Sequence, residues 1–276
     1  METKNKIVEK KERPKFSVAI QSDAMKKLIS DTLGDKEIAR AFTADIVSLV
    51  ATRPDIQDCD FGTIVSAALT AYTLKLPLSK SLGFAHIVPY KDNKDNIKKA
   101  QLQIGWKGLV QLGQRSGAFE KLGVREVHDG EWAGIDEFGE DIFKFSHDCD
   151  NNKIIGYYAY FKLINGFSKT SYWTTEKCER HATRYSTAHR LYKGGANDIW
   201  SSNFDAMAKK TVLKNLLNGY APMSVDSELK LAILADQSDI EDGDYRYLDN
   251  EQGKSTINLT DDIFEDTPSV EEETKE

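Results

Sequence analysis

Around Gly105 the hydrophobic period of the chain changes from two residues to about 3.6. Before it, in Ile97-Lys-Lys-Ala-Gln-Leu-Gln-Ile104, residues Ala100, Leu102 and Ile104 point one way while Lys99, Gln101 and Gln103 point the other. That alternation predicts a half-buried strand. After it, helical spacing puts Trp106, Leu109, Val110 and Gly113 on one side and Lys107, Gln111, Gln114 and Arg115 on the other. Gly117 suits the left-handed stop of that helix. Phe84 to Tyr90 can pair with the strand, and Lys91-Asp-Asn-Lys-Asp-Asn96 has the residues of a turn. Further strand-like runs are 123–127, 154–164 and 170–174. Helical spacing brackets them. Upstream, two helices break at Gly34-Asp35 and a third starts at an Asp60 cap and stops before Pro77; downstream, helices span 175–185 and 201–217. The fold class is therefore α+β: a helical N-terminal region, a central, mostly antiparallel sheet with an embedded helix, closing helices and a disordered acidic tail.

The formal charge of −7 hides a split. Residues 236–276 hold fifteen acids against three bases, a charge of −12, whereas residues 1–235 hold 34 bases and 29 acids, or +5. A basic body suggests a polyanionic partner, and the tail reads as a regulatory arm, a partner-binding arm or a solubilising segment. As a regulatory arm it would compete for the body's basic groove; as a docking arm it would offer Ile263 and Phe264. The expected organisation is a flexible leader over 1–22, a folded core over 23–235, and the tail over 236–276. With 40% hydrophobic residues the chain can bury a substantial core. The hydrophilic start argues against a signal peptide, and no run reaches the roughly 20 apolar residues of a membrane span. Three scattered cysteines predict a reducing compartment, the cytoplasm, and no disulfide framework.

Several motifs fail on their chemistry. Gly166-Phe-Ser-Lys-Thr170 ends like a P-loop, but Leu163 and Ser168 stand where that loop needs glycines to cradle phosphate. Gly105-Trp-Lys-Gly108 matches a bare GxxG but follows a strand rather than a helix. Cys178 and His181 form half a zinc site with no second half at ligand spacing. The acids at 137–141 and 148–150 read as solvated loops. No catalytic residue, metal site or cofactor is expected.

Cationic faces are the stronger signal. Lys107, Gln111 and Arg115 share a stripe that can meet phosphate or sugar, or can simply be the solvated side of an amphipathic helix. Lys210 and Lys214 stack at i,i+4 on the 201–217 helix, with Lys209 about 100° away. Two lysines without an acidic partner repel each other, so an anion between them would stabilise the pair. Arg184, Tyr185, Thr187, Arg190 and Lys193 supply cations and hydroxyls interleaved with aromatics, a composition suited to backbone contact with occasional base stacking. Trp173 and Trp200 read as core. Together the patches imply a nucleic-acid surface blind to sequence, with no motif for major-groove reading.

The run from Ile104 to Gly117 resembles the central signature of the RecT family of phage single-strand annealing proteins. The similarity extends through Leu76-Pro-Leu78 and His86-Ile-Val-Pro-Tyr90, and ends with Trp200 and Phe204-Asp-Ala-Met-Ala-Lys-Lys-Thr-Val-Leu-Lys214. It departs at Gly194-Gly-Ala-Asn-Asp-Ile199, where a proline-containing segment is expected.

The resemblance implies an ATP-independent recombinase of the host cytoplasm that binds single-stranded DNA, multimerises into rings or filaments and pairs the strand with its complement. Its implied partners are the annealed duplex, other copies of itself, a phage 5′→3′ exonuclease and host single-strand-binding protein, with no membrane. On this reading Lys107, Gln111, Arg115, Lys209, Lys210 and Lys214 grip the backbone. Lys91, Lys94, Lys98, Lys99 and Gln103 on the 84–104 hairpin clamp the strand or meet the incoming one, and the N-terminal helices carry protomer contacts. The rivals are a metal-dependent phage nuclease and a passive single-strand binder.

Overall fold

The computed structural model describes residues 15–79, 81–92, 96–149, 152–195, 198–222, 228–236, 238–241 and 244–247. The leader up to Pro14, Lys94 and residues 248–276 of the acidic tail lie outside the described residues. The stretch expected as one core over 23–235 divides into two compact units, residues 1–103 and 104–276.

The first unit holds α1 (Phe16–Ala19), α2 (Asp23–Leu33), α3 (Lys36–Ala51), α4 (Pro54–Gln57), α5 (Phe61–Thr73) and the paired strands β1 (Ala85–Asp92) and β2 (Ile97–Ile104). The predicted break between α2 and α3 has two local causes. Gly34 takes a φ of 71°, which costs a residue without Cβ nothing, and the Asp35 carboxylate accepts from the N–H groups of Glu37 and Ile38. Asp60 caps α5 as expected, accepting from the Thr63 N–H at 3.2 Å. The Thr63 hydroxyl in turn accepts from the Ala100 N–H at 2.9 Å, which ties the start of α5 to β2. Phe42, Ile46, Val50, Ile64, Ala68, Ala85 and Ile87 are buried. The alternation in β2 holds for Ala100, Leu102 and Ile104, but Gln101, expected outside, is also buried.

In the second unit, α6 (Trp106–Ser116) leads into β3 (Phe119–His128). Then come β4 (Trp132–Ile135), β5 (Asp141–Phe143), a 3-10 turn over His147–Cys149, β6 (Ile154–Leu163) and β7 (Ser168–Thr174). Antiparallel pairing gives a three-stranded sheet in the order β3-β6-β7, with Val124 opposite Ala159 and Tyr157 opposite Trp173. Tyr157, Ala159 and Phe161 are buried on the inner face, against which α10 (Phe204–Tyr220) packs through Ala208, Val212, Leu213 and Leu216. The Tyr157 hydroxyl donates to Asp205 Oδ1 at 2.5 Å, pinning helix to sheet; burial first, and then this carboxylate, push the phenol pKa up.

Three predicted features are corrected. The acids at 137–141 are not a plain loop: β4 and β5 pair around a turn in which the Asp136 carboxylate accepts from the N–H groups of Phe138 and Glu140 at 2.8 Å. The helix expected over 201–217 is broken at Asn203 into α9 (Ile199–Ser202) and α10. The fold also continues beyond Ala235. After α7 (Thr175–Tyr185) and α8 (Thr187–Tyr192), the chain adds α11 (Glu228–Ala235), a buried Asp236, and the antiparallel pair β8 (Ser238–Glu241) and β9 (Asp244–Tyr247). Among the described residues no helix is long and apolar enough to cross a membrane.

Candidate nucleic-acid interface

The polar stripe of α6 forms as its spacing requires. Leu109 and Leu112 are buried, Lys107, Gln114 and Arg115 are exposed, Gln111 is half-buried, and Gly117 ends the helix at a φ of 69°. Trp106, expected on the packed side, is only half-buried. Lys107 Nζ lies 5.8 Å from its ring centroid and Lys209 Nζ 5.6 Å, so one indole gathers cations from two helices. Lys209 also meets Glu126 Oε1 at 2.7 Å, and Arg115 meets Glu228 Oε2 of α11 at 3.0 Å.

Lys210 and Lys214 do share a face, and the anion that their spacing calls for comes from the chain itself. Asp236 Oδ1 accepts from Lys210 Nζ and Oδ2 from Lys214 Nζ, both at 2.8 Å, and Oδ1 also accepts from the Ile104 N–H at 2.8 Å. Lys210 is 5% exposed, so the expectation of an open phosphate-binding lysine there is corrected: the nearest anion is 26 residues downstream and internal. Burial would raise the Asp236 carboxyl pKa, but the two ammonium groups outweigh it and hold it below the ordinary carboxylate range. The Lys214 side chain keeps 21% exposure at the rim of the cluster.

Along α7 and α8, Arg184, Tyr185 and Arg190 are exposed, while Lys193 Nζ is paired with Glu179 Oε1 at 2.9 Å. Thr187 lies in the first turn of α8. Behind them, His189 is buried with its Nδ1 2.9 Å from Asp198 Oδ2. Asp198 also accepts from the Ser201 hydroxyl and from the Gly194 N–H. Burial alone would raise the Asp198 carboxyl, yet these hydrogen bonds, with that of His189, bring it down to about 2. This group ties Gly194 to the start of α9, and the sequence between them lacks the expected proline.

On the hairpin of the first unit Lys91 is exposed, and Lys98 lies 3.8 Å from Asp58. Lys99, expected as a clamp, has a side chain only 12% exposed and sits 2.9 Å from Asp92. Gln103 is half-buried.

Residues 40–248 match the RecT family. The chain belongs to that family. Two relatives agree. The chain is 34% identical over 256 residues to the Bacillus subtilis protein YqaK, covering 93% of this chain and 81% of YqaK. It is 29% identical over 233 residues to the Escherichia coli protein RecT, covering 78% of this chain and 83% of that one. Membership makes this a phage-type single-strand annealing and recombination protein. Within that RecT framework, sequence reasoning missed three residues: Trp106 as a bridge between Lys107 and Lys209, Asp236 as an internal counter-ion, and His181. His181 packs between Trp173 at 5.4 Å and Tyr185 at 4.6 Å. The i,i+4 spacing of His181 and Tyr185 was the available signal for the last.

Proposed function

We propose that this RecT-family protein binds single-stranded DNA through its backbone, multimerises on it, and pairs it with a complementary strand without ATP. The observation that carries the reading is the family match over residues 40–248, joined to cations that stay at the surface of both units. Lys107 and Lys209 beside Trp106, together with Arg184 and Arg190, are the phosphate contacts, with Lys214 at the rim; Lys91 and Lys98 serve the same strand or the incoming one. Arg115, Gln111 and Gln103 contribute at the edges of these patches. Phosphate contacts position a strand without reading it, so base pairing supplies the specificity. Duplex formation is downhill, and the protein has only to align strands and screen their charge.

The N-terminal helices are the proposed protomer contacts. Val18, Leu28 and Ile38 are exposed there by 64%, 50% and 40%, which favours cover by a second copy. A phage 5′→3′ exonuclease that exposes the strand and a host single-strand-binding protein are the proposed partners.

Two complementary oligonucleotides added in sequence, without nucleotide or magnesium, test the reading. The protein should accelerate pairing, and images should show ordered multimers holding a duplex. Coating that slows pairing would support the passive binder, and strand cleavage on adding magnesium would support the nuclease.

A further inference from the structure

Helix α7 carries two surface stripes side by side. At about 100° per residue, Arg180, Arg184 and Lys177 fall within an arc of about 60°. His181 and Tyr185 fill the adjoining arc, and Cys178 and Ala182 are buried beyond them. Trp173, at the end of β7 just before the helix, extends the aromatic stripe through its contact with His181. The rings touch in series, Trp173 to His181 at 5.4 Å and His181 to Tyr185 at 4.6 Å, with buried Trp200 behind at 6.3 Å. Each end has its own cation: Lys177 Nζ lies 4.8 Å from the Trp173 ring and the Arg184 guanidinium 5.3 Å from that of Tyr185. Trp173 and His181 are half-buried and Tyr185 is 37% exposed, so ring surface is left open on a helix whose next stripe is cationic.

We infer that the Trp173–His181–Tyr185 stripe is a base-stacking site for single-stranded DNA, with Lys177 and Arg184 taking the flanking phosphates. The charge matches a polyanion, and a row of rings beside a row of cations matches a chain that carries flat rings at one side of its backbone. Stacking uses the faces of the bases and leaves their Watson–Crick edges open, which is what pairing with a second strand requires. The inference rests on the reading that this protein binds single-stranded DNA, and it locates the bases as well as the backbone.

Binding of the full chain to an oligo-dT and to an abasic oligodeoxyribose-phosphate of equal length, at one salt concentration, tests it. Wild type should prefer oligo-dT by about 5- to 150-fold per stacked base. The His181→Ser/Tyr185→Ser double variant should lose most of that preference while its affinity for the abasic strand stays the same. Equal affinity of wild type for both strands, or a preference retained in the folded variant, overturns the stacking site. No binding to either strand overturns the functional reading instead. Photocrosslinking of the unaltered protein to 5-iododeoxyuridine DNA decides the matter even if the variant misfolds: the linked peptide must fall within residues 173–185, and linkage only elsewhere refutes the site.

Discussion

Asp236 accepts a hydrogen bond from Lys210 at 2.8 Å inside the second unit, although the two lie at opposite ends of the charge split in the chain. With Lys214 also on the carboxylate, the cluster holds two cations and one anion, and the residual positive charge has its outlet at the partly open Lys214. Asp236→Ala would leave two ammonium groups facing each other without an anion. It should cost about 3–5 kcal/mol, read from the urea midpoint. Asp236→Leu combined with Lys210→Met, which removes most of the buried charge, should cost less than the single change.

Acid should find this cluster and the Asp198 group. Both carboxyls have folded pKa values below their ordinary ones, Asp198 at about 2. A depressed carboxylate contributes its full stability above the unfolded value of about 3.9 and loses it as pH falls through the folded value. Wild type should therefore lose stability steadily from about pH 4 towards pH 2. Asp198→Asn should start less stable at pH 7 and show a flatter slope over that interval, measured by thermal unfolding in a buffer series.

Salt dependence separates surface lysines from internal ones. Lys107→Gln should lower the slope of single-strand binding against log salt by up to ~0.7, and Lys209→Gln by less, because its side chain is 19% exposed and paired with Glu126. Lys210→Gln should act chiefly on stability, because the side chain it removes is buried against Asp236. A drop of ~0.7 in that slope for folded Lys210→Gln would show that the lysine leaves Asp236 for phosphate.

The position of Asp236 sets where the acidic tail can be cut. Removing residues 236–276 would take away the buried counter-ion of Lys210 and Lys214, so that truncation should destabilise the fold. A chain ending at Tyr247 keeps the cluster and still discards ten acids and two bases. It should remain folded and bind single strands more tightly, most visibly at low salt where screening is weakest. Unchanged affinity and salt slope would leave the partner-docking or solubilising roles of the tail.

Gly156 is a steric test of the sheet. A Cβ there would sit 2.5 Å from the Trp173 carbonyl oxygen and 2.5 Å from Tyr172 Cε2, so backbone would have to move. Gly156→Ala should cost about 1–3 kcal/mol, and the displaced Trp173 should report it as altered indole fluorescence.

Elements with a local cause were legible in the sequence. The strand before Gly105, the helix after it, the Gly34 break and the Asp60 cap follow from periodicity and from hydrogen bonds within four residues. Lys107 belongs with them: its exposure follows from which side of α6 is apolar. The family was legible too, because its motifs keep their order. What the sequence could not decide were pairings across long separations. Lys210 and Lys214 read as an open anion site because helix geometry places them together but cannot show an aspartate more than twenty residues away coming back to fill it. Gln101 read as solvated because strand alternation assigns a face without saying what covers it. Trp173 read as core because its burial depends on how α7 lies against β7. The sequence determined which charges share a face; only the tertiary structure decided which of them meet water, because burial and counter-ions come from segments that pack together after folding.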